Sequence, residues 1–179
     1  MNLSKFAFAY SRHGLVGFFN IFLGKIGIRY RFKTSLDKII FYHGKKIEKI
    51  SKNKILNGLY KNTHLEINKK WNRHDTASKF LGLYEKEVQD EILKLQKSKK
   101  TKKKYLINLG AGEGYHLIGL LKKKLFSHGV AFEMDNDAKN ILQKNSIRNS
   151  LKNRLVILNK AEENFLKKSL PKKFKLKDC

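Results

Sequence analysis

Cysteine is almost absent from this chain. The single one, Cys179, is the last residue, which excludes an internal disulfide framework or a thiolate metal site and suits a reducing cytoplasm. Long apolar runs are missing too: the longest, Leu15 to Leu23, has Asn20 inside it and Arg12 and Lys25 close outside. That is well short of the roughly 20 residues needed to cross a bilayer. The same region makes a poor secretion signal. Lys5 is a weak start, Arg12 and His13 interrupt the apolar stretch, and no small-x-small cleavage site follows. The expectation is a cytoplasmic protein in which this segment is buried or amphipathic at an interface. Ligand spacing is also lacking among the histidines at 13, 43, 64, 74, 116 and 128, so no metal site is expected.

Acidic residues are few, 15 against 40 basic, and the formal charge of +25 invites a nucleic-acid reading, since cationic surfaces bind phosphate by releasing counterions. Arginine, however, supplies only six of those basic residues. Base and phosphate recognition favours its bidentate fork, so the lysine excess reads as solvated surface, with a nucleic-acid partner as the disfavoured alternative. The 41% hydrophobic content is enough for the core of one domain.

Along the chain, residues 1–74 read as a small α+β appendage. Ile28, Tyr30 and Phe32 alternate with Arg29, Arg31 and Lys33, the period of a half-buried strand. A second strand is expected over Lys38 to His43 with a turn at Gly44. Hairpin corners are expected at Asn57-Gly58 and Lys61-Asn62. Residues 75–104 read as one amphipathic helix, Thr76 to Gln96, capped by Asp75 or Thr76, then a lysine-rich linker, Lys97 to Lys104.

From 105 to 179 the pattern turns to alternating strands and helices. Strands are expected at Tyr105 to Leu109, Val130 to Glu133 and Arg154 to Leu158, with helices at Tyr115 to Leu125 and Asp137 to Asn149. Such alternation implies an α/β fold with parallel strands and right-handed crossovers.

Chemistry concentrates in the first strand-to-helix turn, Gly110-Ala111-Gly112-Glu113-Gly114-Tyr115. Glycines let the backbone turn sharply and approach a ligand, and the helix start offers free N–H groups. A dinucleotide fingerprint would place its third glycine at 115, where this chain has tyrosine. Nineteen residues after Gly114, Glu133 ends the second strand, where a carboxylate can accept both hydroxyls of a ribose. Strand, G-x-G-x-G, helix, strand and acid in that order point to S-adenosylmethionine.

Those residues resemble class I methyltransferases, a Rossmann-like fold, and within them the FkbM-like group. The stretch from Phe80 to Glu87, with Gly82, Tyr84, Glu85 and Glu87, looks like the G-x-Y-E-x-E segment of some members, and Ala131-Phe132-Glu133 is similar to their second motif. The resemblance implies that Gly110, Ala111, Gly112 and Gly114 line the cofactor and that Glu133 holds its ribose. Glu113 and Tyr115 would stand near its methionine end and Ala161 beside its adenine, although Lys160 departs from the family pattern there. It further implies O-methylation of a saccharide or small metabolite, with no catalytic base assigned. Tyr84 reads as core packing, Glu85 as facing the cleft, and His116 as either near the cofactor or exposed.

Phe174 to Cys179 looks like the start of a fourth strand, cut where relatives continue, so the expectation is a sheet holding its first three to four strands and a chain inactive by itself. The rival readings are an RNA-modifying methyltransferase that uses the basic surface and a non-catalytic partner-binding module on a relic fold.

Overall fold

The computed structural model describes residues 3–27, 32–68, 74–97, 104–168 and 170. Residues 28–31, the lysine run 98–103 and the expected fourth strand at 174–179 lie outside them.

Three parallel strands form the sheet, in the order β1 (Tyr105–Leu109), β2 (His128–Phe132), β3 (Leu155–Leu158). Ile107 pairs with Val130 and Val130 with Val156, so one register runs across all three. Parallel neighbours need a crossover, and α5 (Tyr115–Lys122) and α6 (Asn136–Arg148) supply the two here. Both helices start where the sequence dictates. Gly114 takes the left-handed conformation ahead of α5, and the Asp135 carboxylate accepts the Ala138 N–H at 2.7 Å ahead of α6. The α/β expectation holds, with strand and helix ends moved by a few residues. After β3 the described chain ends in a short helix, α7 (Phe165–Lys168).

Before the sheet the expectations need correction. Residues 38–43 are helix and not strand: α2 runs Ser35–Ser51. A reciprocal capping box starts it, in which Thr34 Oγ1 accepts the Asp37 N–H at 3.1 Å and Asp37 Oδ2 accepts the Thr34 N–H at 2.8 Å. The less exposed positions are then 37, 40, 41, 44, 47, 48 and 51, a helical stripe that overrides the β preference of Ile39, Ile40, Phe41 and Tyr42. Gly44 therefore makes no turn; a Cβ there would stand 3.3 Å from Thr76, so its smallness lets the next helix come close.

The single helix expected over 76–96 is two. α3 (Thr76–Leu81) stops at Gly82, whose left-handed φ of 77° closes the helix, and α4 (Lys86–Lys97) begins after Glu85 at φ 46°. Asp75 precedes α3 without a side-chain cap bond. A Cβ on Gly82 would collide with the Asn57 carbonyl, so the break is fixed by packing as well as by φ.

Residues 52–68 form no hairpin sheet; Lys54 and His64 make an isolated antiparallel bridge. Around that bridge the segment folds back on itself, with backbone bonds from Ile55 to Thr63, Asn62 to Ile55 and Leu65 to Asn53, and it is also held from the side. Asn145 of α6 accepts the Glu66 N–H at 2.7 Å and donates to the Glu66 carbonyl at 2.9 Å, and Asn149 does the same for His64 at 3.0 and 2.7 Å. Two amides one helical turn apart thus stand in for a partner strand. The segment delivers Ile55, Tyr60, Leu65 and Ile67 into the same buried cluster as Leu117, Ile118, Leu121 and Leu142. Around Gly119 the fit is close enough that a Cβ would run into the Tyr60 ring.

The chain opens with α1 (Leu3–Lys25), kinked at Gly14. Asn20 repeats the amide device, donating to the Phe32 carbonyl at 2.8 Å and accepting its N–H at 2.7 Å. Phe8, Tyr10, Leu15, Phe18, Phe19 and Phe22 remain exposed, which goes against burial of this segment and leaves the interfacial alternative. Among the described residues no helix is long and apolar enough to cross a membrane.

Candidate functional site

The glycine turn lies where β1 ends, beside the end of β2. Phe132 ends β2, and its carbonyl accepts the Gly110 N–H at 2.9 Å and the Ala111 N–H at 3.1 Å, which pins the turn to the neighbouring strand. Gly110, Gly112 and Gly114 all have positive φ, at 69°, 54° and 86°. Their surroundings differ. A Cβ on Gly114 would strike Leu142 and Ile118, whereas Gly110 and Gly112 face open space, room into which a ligand can come against bare backbone.

Glu133 follows directly. It is buried, with 7% exposure, yet its carboxylate accepts the Gly112 N–H at 2.6 Å through Oε2 and the Asp135 N–H at 2.8 Å through Oε1. A carboxylate offers about four acceptor positions, so each oxygen retains capacity for a ligand hydroxyl. Glycine turn and acid, far apart in sequence, are thus one unit.

Of the other expected site residues, Ala111 is buried in the turn and Glu113 and Tyr115 turn inward. Glu113 is 2% exposed and forms a buried ion pair with Lys79 of α3, while its carbonyl accepts from Asn145 at 2.9 Å. Tyr115, 4% exposed, meets Tyr60 and Tyr84 edge to face, with ring centroids 5.2 and 5.3 Å away, and burial pushes its hydroxyl up to about 12. Ala161 packs on Val130 and Phe132 in a second apolar cluster with Leu158 and Phe165. Gly110, Gly112 and Glu133 are therefore brought together, and Glu113 and Tyr115 join a layer behind them.

That layer carries a chain of bonds not legible in the sequence. Tyr60 Oη lies 3.0 Å from His116 Nδ1, and His116 Nε2 lies 2.8 Å from Glu85. A carboxylate only accepts, so Nε2 carries the proton and Nδ1 accepts from the Tyr60 hydroxyl: a neutral imidazole bonded on both sides. Burial lowers the His116 pKa against the opposing pull of Glu85. Burial would raise Glu85, but hydrogen bonds from Tyr84 and His116 outweigh it and hold the carboxyl below its usual value. Burial raises Tyr60 above the ordinary phenol, as it does Tyr84. His116 is thus largely buried and bonded on both sides, not an exposed helix position. Lys79 Nζ also stands over the Tyr84 ring, 4.6 Å from its centroid. Among the described residues no group of three or more histidines, cysteines or carboxylates gathers to hold a metal ion.

No family model matches the chain, and no curated protein matches it. Solved structures give partial likenesses. An RNA methyltransferase from Salinibacter ruber in complex with S-adenosyl-L-homocysteine is 26% identical over 41% of this chain and 46% of its own, with a TM-score of 0.34. The N-terminal domain of human METTL16 in complex with SAH is 18% identical over 76% of this chain and 60% of its own, TM-score 0.41. An O-methyltransferase family protein from Burkholderia thailandensis is 12% identical over 68% and 37%, TM-score 0.36. The chain spans less than half of the Salinibacter protein. At these TM-scores the likenesses decide nothing, and the reading rests on the chain's own geometry.

Proposed function

We propose that this chain binds S-adenosylmethionine at the 110–114 turn and is part of a class I methyltransferase. One observation carries the reading: at the ends of adjacent parallel strands, the Gly112 N–H and the Glu133 carboxylate meet at 2.6 Å beneath open space over two glycines. Ligands of open α/β sheets sit beyond the carboxyl ends of strands, and a strand-end acid there suits a ribose diol. In this reading Gly110 and Gly112 receive the cofactor against bare backbone, and Glu133 accepts its ribose hydroxyls. Tyr115 occupies the position a dinucleotide fold gives to glycine, and its buried ring supports the choice against a nicotinamide cofactor. When bound, the cofactor supplies an electrophilic methyl on sulfur, and the protein's part is to hold donor and acceptor in line at near-attack distance.

For the acceptor, the FkbM-like resemblance points to a saccharide or small-metabolite oxygen. An RNA acceptor is the second reading, favoured by Lys38, Phe41, Tyr42 and Lys45, which share one stripe of α2 at helical spacing. Calorimetry with S-adenosylhomocysteine tests the cofactor site. Glu133→Ala should weaken binding by about 1.5 to 3 kcal/mol, the worth of bonds to a charged group. Equal affinity in the variant would sink the assignment.

A further inference from the structure

Outside the glycine turn, one cavity combines size, charge and aromatic rings. It measures about 610 Å³ and is lined by Lys33, Lys38, Phe41, Tyr42, Lys45 and Glu48, with Ile67 and Thr76 closing it. Pockets for small ligands span roughly 300 to 1,000 Å³. Five of the lining residues, at 38, 41, 42, 45 and 48, follow helical spacing on α2 and so form one stripe. Its order is lysine, two rings, lysine, acid. Lys33, just ahead of the cap, adds a third cation, its Nζ 5.5 Å from the Phe41 centroid. Phe41 is also packed against His74 at 4.8 Å, which makes it a wall. Tyr42 is 64% exposed and presents a ring on which a planar group can stack.

We propose that this cavity binds a nucleoside monophosphate unit, either free or within a single strand: the phosphate on Lys33, Lys38 and Lys45, the base stacked on Tyr42. Three cations specify the anion, and the adjacent exposed ring specifies a planar partner, the pairing by which single-stranded nucleic acids are held. Glu48, ten residues and about 15 Å along the helix from Lys38, leaves that end of the stripe cationic and offers an acceptor to an amino group at the other. The helix that borders the cavity also reaches the glycine turn. Thr76 lines it, and Lys79, about 4.5 Å further along α3, makes the ion pair with Glu113. Binding here stands independently of the methyl-transfer reading; only its role as the acceptor's seat rests on that reading.

The test must separate a built site from the general attraction of a cationic chain. Fluorescence anisotropy with a single-stranded RNA decamer is followed for the unaltered chain, Tyr42→Ala, Lys38→Gln/Lys45→Gln, and a control pair on another face, Lys123→Gln/Lys124→Gln. Adenosine monophosphate, uridine monophosphate, adenosine and inorganic phosphate serve as competitors. Calorimetric binding of S-adenosylhomocysteine is measured on the same samples, so a failed cofactor site and a failed cavity give different patterns. Tyr42→Ala should weaken the decamer roughly tenfold, from the lost stacking. The pocket lysine pair should flatten the salt dependence by about 1.4, at about 0.7 per phosphate contact on a single strand, and the control pair by less. Nucleotides that compete where adenosine and phosphate do not would place the site with free nucleotides as well as strands; competition by the strand alone would assign it to strands. Equal losses from the control and pocket pairs, an unaffected Tyr42→Ala, or phosphate competing as well as the nucleotides would overturn the proposal. Circular dichroism melts show whether each variant is folded.

Discussion

The two ends of the described chain are held in opposite ways. Between 105 and 158, strands share a register and helices return over them, burying Val130, Leu117, Leu121 and Leu142. Between 3 and 51, two helices leave Phe8, Leu15, Phe18, Ile39, Tyr42 and Ile50 exposed, and individual contacts tie them down: Asn20 on Phe32, Asp37 on His74, Gly44 against Thr76. A side chain in the continuous core touches many neighbours at once, whereas a point attachment rests on one or two named bonds. Where the two regimes meet, at α3 and at 64–66, single residues should matter most.

The largest effect is expected at Lys79. Lys79→Met removes the buried cation that pairs with Glu113 behind the glycine turn, which should cost about 3 to 5 kcal/mol. Lys79→Met/Glu113→Leu should recover much of that loss in a denaturant titration; a double variant no better than the single would show that the pair is not the source. Next comes Asn145→Leu, which strips partners from the Glu66 N–H and from two carbonyls. At about 1 to 3 kcal/mol for each buried polar group left unmade, roughly 3 kcal/mol or more should be lost. Hydrogen exchange should speed up at 64–66 first, and uniform acceleration throughout β1 to β3 would argue against a localized clamp.

Acidification should act on the same junction. His116 and Glu85 both have folded pKa values below their ordinary ones. In each case the unfolded chain binds protons that the folded chain does not, so stability rises with pH and is lost on acidification. The His116 contribution should fade as pH falls through about 6.5, its unfolded value, and that of Glu85 below about 4.3. Melting temperatures measured from about pH 7.5 to 2.5 should show both steps, and His116→Gln should shrink the upper one, to which His64, its pKa also lowered by burial, contributes. An unchanged upper step in that variant would remove His116 as its source. The smallest effect belongs to the exposed joint: Asn20→Ala should cost about 0.5 to 1.5 kcal/mol and shift melting by a few degrees at most. A shift as large as that of Asn145→Leu would erase the contrast between the two regions.

How much of this was legible follows the same divide. Tyr105–Leu109, the glycine turn and Glu133 declare themselves because strand, turn and acid follow one another within a single βαβ unit. The α2 helix did not, because Ile39 to Tyr42 is apolar and β-prone over four residues, and the deciding signal, Thr34 with Asp37, precedes it. The break at Gly82 was hidden because the apolar spacing of 76–95 continues across it in phase. The layer behind the turn was beyond local reading altogether: Lys79 to Glu113, Tyr60 to His116 and Glu85 to His116 are 34, 56 and 31 residues apart. Asn145 and Asn149, four apart at the end of α6, are a visible sign of the 64–66 clamp, but their spacing alone names no partner.

The asparagine joints have a further consequence. In a chain of +25 net charge, most surface contacts must change as ions accumulate around it. The pairings of Asn20 with Phe32, Asn145 with Glu66 and Asn149 with His64 join a neutral amide to a neutral peptide group. They have nothing to titrate and little for salt to screen. Those amide bonds at 64–66 should therefore hold from dilute buffer to molar salt, while the ion pairs of Glu66 with Lys144 and Arg148 at the same seam weaken. Ionic strength then becomes a tool for dissection: what changes as salt is added belongs to the charged surface, and what persists belongs to the frame beneath it.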